Sequence, residues 1–153
     1  MEKKDLKEKY YEDKYRYFDV TADIGFYSFG KTIEEGFENS GLAMFNVVTN
    51  TEKVSTDITK KIAIKSEDLV SLLYLFLEEL LFLHEVDFLL FSEFKVKSIR
   101  KSNEGYELIS EVKGEEIDWS KHERRSEVKA ITFHLMEVKK KKEGYELRVI
   151  LDL

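Results

Sequence analysis

Carboxylates are the residues of this chain best placed to do chemistry. Asp23 stands in "TADIG", where the chain bends ahead of the alternating stretch "DIGFYSFG". Asp152 stands in the closing "RVILDL", a strand-like run that finishes on an aspartate beside the α-carboxylate of Leu153. Solvation of a chain end accounts for such an aspartate without any function. A different chemistry follows if the first and last strands are neighbours. Two carboxylates brought together repel unless a proton or a cation joins them. An oxygen-only donor set in a chain without cysteine suits a hard ion such as Ca²⁺ or Mg²⁺.

The other candidate motifs have plainer readings. "GFYSFGKT" satisfies the written spacing of a phosphate loop, with Gly25, Gly30, Lys31 and Thr32 in place. Such a loop needs consecutive N–H groups turned inward, whereas bulky alternating aromatics favour a strand. The expectation is a strand followed by a capped helix. His84, His122 and His134 lie far apart, with no i, i+4 partner histidine and no G-x-S-x-G elbow to support a serine nucleophile. The absence of cysteine excludes disulfides, thiolate zinc sites and cysteine nucleophiles. Lys139 to Lys142 read as a solvated hairpin tip. Trp119, in a polar loop, reads either as a core anchor or as a partner-facing residue.

The elements that must position these residues follow from periodicity. "YRYFDV" and "DIGFYSFG" are short alternating strands, the second with Ile24, Phe26 and Ser28 on one face. Thr32 and Glu35 make a capping box that opens a helix ending near Thr49–Asn50. Its apolar stripe holds Ile33, Phe37, Met44, Phe45 and Val48, with Gly36, Ser40 and Gly41 permitting close backbone approach. Residues 54–65 alternate as a strand. Ser66 is expected to cap a second helix from Glu67 to about His84, apolar on more than one side. Then come the strands "VDFLLF", "EFKVKSI", "YELISEVKG" with a bulge, "VKAITFHLMEV" and "YELRVILDL", the last two as an antiparallel hairpin. This is an α+β chain, two helices on a mainly antiparallel sheet.

The size of 153 residues suits one domain, here 15–153, preceded by a charged extension over 1–14. A net charge of −6 argues against a domain whose main work is neutralising a phosphate backbone. It leaves room for a protein that works beside RNA while bound to another protein. The first residues, "MEKKDLKEKYYEDKYRY", have no apolar signal segment. The apolar run from Leu69 to Phe91 carries Glu78, Glu79, His84, Glu85 and Asp87, so it reads as a core helix rather than a membrane span. A soluble, cytoplasmic protein is expected.

Three blocks of this sequence resemble the archease family. "TADIGFYSFGKTIEEGFENSGLAMFNVVT" is similar to its N-terminal signature, "DLVSLLYLFLEELLFL" to its central helix, and "EVKAITFHLMEV" with "YELRVILDL" to its C-terminal signature. The resemblance runs from about residue 15 to 153. The family usually has histidine before Thr-Ala-Asp, where this chain has Val20. The resemblance implies a protein cofactor rather than an enzyme, with an RtcB-type RNA ligase of tRNA splicing as partner and tRNA met only through that ligase. It implies promotion of ligase guanylylation, multiple turnover and broader nucleotide use. It further implies a divalent metal site, usually calcium with Mg²⁺ or Mn²⁺ as alternatives, matching Asp23, Asp152 and Leu153, and a role for Lys129 in ligase activation.

Overall fold

The computed structural model describes residues 13–153. All but the last two residues of the expected extension therefore lie outside the described residues. The strands β1 (Tyr15–Val20) and β2 (Asp23–Gly30) lead into α1 (Ile33–Val48), a single 3₁₀ turn (Thr51–Lys53) and β3 (Ile58–Ser66). Next come α2 (Leu69–Val86), β4 (Leu89–Ser102), β5 (Gly105–Glu116), β6 (Ala130–Lys141) and β7 (Gly144–Asp152). The fold is α+β, as expected, but its strands divide into two antiparallel sheets. One has the order β1-β2-β7-β6, the other β3-β5-β4.

Local chemistry explains the element ends. Thr32 caps α1 by accepting the Glu35 N–H at 3.1 Å. The second helix starts later than expected. Asp68, not Ser66, is its cap and accepts the Ser71 N–H at 2.7 Å, while Ser66 still pairs with Tyr106 in the sheet. An ionised carboxylate is the stronger acceptor at a helix N-terminus. The hairpin of β6 and β7 forms as expected, closing between Lys141 and Gly144, whose φ of +154° suits glycine.

Helix α1 lies across both sheets. A side chain at Gly36 would come within 2.9 Å of Leu147 on β7, and one at Gly41 within 2.7 Å of Phe94 on β4. Between them, the Ser28 and Ser40 hydroxyls sit 2.6 Å apart and both reach the Gly36 carbonyl, so these two buried hydroxyls have partners. Phe26, Phe37, Phe45, Phe76 and Phe91 fill the core with the leucines of α2.

Two strand expectations need correction. "VDFLLF" and "EFKVKSI" are parts of one strand, β4, which carries register shifts at Phe91/Glu93 and Val96/Ser98. No bulge lies in β5, where Leu108, Ser110, Val112 and Gly114 alternate on one buried face. Ser110 mimics an outward residue in sequence, yet it is buried because its hydroxyl donates to the Lys95 carbonyl at 2.7 Å. The phosphate-loop reading also fails. Gly25 to Gly30 form a strand paired on both sides, with no loop for an anion.

Candidate functional site

Strand register places the candidate carboxylates together. Val20 pairs with Asp23, Asp23 with Asp152, and Asp152 with Ala130. These residues form one row across all strands of the first sheet. Residues directly opposite in antiparallel strands share a face, with Cβ atoms about 4.5–5.5 Å apart. Asp23 and Asp152 are therefore a cross-strand pair of like charges, which costs stability unless something positive joins them.

The next row on that face is apolar. Phe18, Gly25, Ile150 and Thr132 stand opposite one another, and the Phe18 ring lies over Gly25 where any side chain would collide. Ile150 is buried. The acidic pair thus has water on one side and hydrocarbon on the other. Asp23 is half-buried and Asp152 is exposed. Asp23 arrives through the two-residue turn Thr21–Ala22, in which Ala22 has a φ of 63°.

Lys129 reaches this row through its backbone. Its N–H donates to the Asp152 carbonyl at 2.8 Å, just ahead of the first residue of β6. It is not inside an alternating strand, as the sequence had suggested. Its side chain is exposed and lines a groove with Glu78, Glu79 and Glu85 of α2.

The segment before Lys129 is pinned by polar contacts. Arg125 and Ser126 donate their N–H groups to the carbonyls of Val48 and Val47, each at 3.0 Å, and Val128 is buried. Upstream, His122 is fully enclosed. Its Nδ1 accepts the Asp118 N–H at 3.0 Å, so Nε2 carries the proton and donates to Glu115 at 3.0 Å. Glu115 also accepts from the Ser55 N–H at 2.6 Å and the Lys121 ammonium at 2.7 Å. Burial pushes the Glu115 carboxyl up, but these donors outweigh it and hold it down at about 2. Trp119 packs against the core with the Arg124 guanidinium 4.7 Å above its ring, which decides for the anchor.

The donor set can serve a hard divalent ion. Among the described residues, no three side chains of His, Cys, Asp or Glu gather as a complete cage. Asp23 and Asp152 can supply two carboxylates. The remaining oxygens of a calcium shell, which takes about six to eight, would come from a main-chain oxygen of Leu153 and water. His84 takes no part, since its Nδ1 lies 2.9 Å from the Leu89 carbonyl in the second sheet's neighbourhood.

Comparison with known proteins now decides the family. The model of the archease protein family matches residues 15–153. This chain belongs to the archease family. The protein archease of Methanothermobacter thermautotrophicus is 51% identical over 139 residues, covering 91% of this chain and 98% of the relative. That of Methanosarcina barkeri is 44% identical over 92% of this chain and 96% of its own length. The solution structure of Methanobacterium thermoautotrophicum protein 1598 superimposes with a TM-score of 0.82 at 50% identity, covering 92% of this chain and 99% of that one. A crystal structure from Thermotoga maritima, described as an archease and possible chaperone, shares the fold with a TM-score of 0.56 at 16% identity, over 89% of this chain and 94% of its own. Among the described residues, no helix of this archease is long and apolar enough to cross a membrane.

Asp23, Asp152 and Lys129, singled out in the sequence, are brought to one sheet end by the register and by the Lys129 backbone bond to Asp152. Sequence reasoning missed the acidic wall of α2. Glu78 and Glu85 are seven residues apart, two turns along a helix, and that spacing was the available signal.

Proposed function

We propose that this archease is an accessory protein of an RtcB-type RNA ligase, promoting attachment of the guanylyl group to the ligase, sustaining multiple turnover and broadening nucleotide use. The observation that supports this reading is the Asp23–Asp152 pair, two like charges held opposite one another at a sheet end. A structure tolerates that arrangement when a cation is to be held there. Asp23, Asp152 and Leu153 would hold the ion, with Ca²⁺ favoured over Mg²⁺ or Mn²⁺ because the irregular, partly solvated donor set suits a flexible shell. The bound ion supplies positive charge at the protein's edge. Lys129, tied to Asp152 by its backbone, adds a second cationic group beside it. Docked on a ligase, the two would favour a guanylylation-competent state only through contacts that differ between ligase states.

The test is single-turnover guanylylation of a cognate ligase, with and without this chain. Stimulation by wild type, and loss of it in Asp152→Asn, is the expected result. Equal rates with and without the chain would refute the reading. Copurification with a tRNA-modifying enzyme instead of a ligase would point to a chaperone-like modulator.

A further inference from the structure

Apart from Tyr17, the exposed large hydrophobic residues of the described chain fall in two places. Phe82, Val86 and Phe88 lie on the end of α2 and just beyond it, and Phe133 and Leu135 lie on β6; each is at least half exposed. The β6 residues belong to an unusual bulge. Thr132 pairs with Ile150 and Glu137 with Arg148, so Phe133 to Met136 stand opposite Val149 alone. Leu135 has a φ of 55° there, a left-handed conformation that strains a leucine backbone. Arg148 fixes the bulge by donating to the Leu135 carbonyl at 2.7 Å and to Glu137 at 3.0 Å. A strained, braced bulge that displays apolar side chains to water is a feature built for contact.

Strand β6 is the outer strand of its sheet. Between its first residues and α2 runs a groove of about 340 Å³. Tyr74 stacks on Phe133 at 4.0 Å and stands at one end, while Lys129 stands at the other. The floor is Leu81, Phe82, Ala130 and Ile131; the helix wall carries Glu78, Glu79 and Glu85. A sheet edge beside a helix, with a groove of mixed apolar and acidic lining between them, suits strand addition, in which an extended peptide takes up main-chain hydrogen bonds and its alternate side chains enter the groove. The bulge stops that edge after Thr132, so the usable edge is short.

We propose that this groove binds a short extended segment of a partner protein, whose every second residue is in turn basic, apolar and basic, as an added strand on the Ala130–Thr132 edge of β6. The acidic helix wall selects lysine or arginine, and the Phe82–Ile131 floor takes the apolar residue between them. Addition here would set the partner's main chain beside Lys129 and the Asp152 row. The proposal rests on the reading that this archease works while bound to another protein.

The experiment titrates the isotopically labelled full chain with the blocked peptide Lys-Thr-Val-Thr-Lys, whose lysines and valine share one face. The comparison peptides replace lysine by glutamate, or carry N-methyl groups on the three residues between the lysines. The lysine peptide should shift and protect the amides of Ala130 to Thr132 and shift those of Tyr74 to Glu85. The glutamate and N-methyl peptides should each bind at least about tenfold more weakly. In the double variant E78K/E85K, whose exposed or rim positions leave the core intact, the glutamate peptide should become the better ligand. No binding, equal binding of both charges, or unimpaired binding of the N-methyl peptide would each overturn the proposal. The titration uses no ligase, so its failure leaves the guanylylation reading standing, and a failed guanylylation assay leaves the groove untouched.

Discussion

Ala22 holds a φ of 63° in the turn that delivers Asp23 opposite Asp152. Left-handed backbone costs an alanine about 1 kcal/mol that glycine does not pay. Ala22→Gly should therefore stabilise the fold by no more than about 0.5 kcal/mol in urea unfolding, once a glycine entropy penalty of about 0.4–1 kcal/mol is subtracted. A loss of stability instead would mean that the alanine methyl makes a contact worth more than the strain. Val20 is a second informative residue, since it shares the row of Asp23. Val20→His would add an imidazole beside the carboxylate pair. Imidazole favours Zn²⁺ over Ca²⁺, so calorimetry should show zinc affinity rising relative to calcium. An unchanged ratio would place the side chain away from the ion. Lys129→Ala keeps the backbone bond to Asp152 and removes only an exposed side chain. Its stability should stay within about 0.5 kcal/mol of wild type, while stimulation of ligase guanylylation falls. Full stimulation by this variant would mark Lys129 as an ordinary surface lysine.

Elements were legible in sequence where period and cap agreed. Thr32 and the alternation of β2 and β7 carried the strand–helix start and both candidate carboxylates, and hydrophobic alternation sets strand register strongly. Reading failed where tertiary contacts overrode local pattern. Ser110 looked outward but is held inward by the Lys95 carbonyl, which moved the bulge from β4 to β5 in the reading. The division into two sheets was hidden, because alternation reports a buried face and not which strand lies beside which. The loop from Ile117 to Glu127 held no periodic signal, and its order comes from Glu115, His122 and Lys121. That cluster has a pH signature. The Glu115 carboxyl is lower in the folded chain than in the unfolded one, so its ionised form stabilises the fold. The contribution is complete above the ordinary carboxylate value near 4.5 and is lost as pH falls toward about 2. Glu115→Gln should lower stability near neutrality by about 1–3 kcal/mol and flatten the acid dependence in that window. Identical acid-unfolding curves for the two proteins would show that the cluster contributes nothing.

At the scale of the whole molecule, β2 and β7 run side by side from the carboxylate pair at one end to Gly30 and Tyr145 at the other. The cost of opposing Asp23 to Asp152 is thus built into the centre of the first sheet, and its consequence can be read from global stability. With chelator present, Asp152→Asn should be as stable as wild type or slightly more, because one of two crowded charges is gone. With Ca²⁺ the order should reverse. A ligand that binds only the folded state at about a hundred times its Kd adds about 2.7 kcal/mol, which for a chain of this size raises Tm by roughly 5–10 °C. Asp23→Asn and Asp152→Asn should each lose that rise, and the double variant should lose no more than either, since a single site is lost only once. Deleting residues 1–14 should leave the calcium-linked rise in place, because the carboxylate row lies wholly outside that segment. The measurement is thermal unfolding of these five proteins with and without Ca²⁺, set beside calorimetric binding. If wild type gains nothing from Ca²⁺, Mg²⁺ or Mn²⁺, the pair is not a metal site. If Asp152→Asn gains as much as wild type, Asp152 is only a solvated aspartate at a strand end.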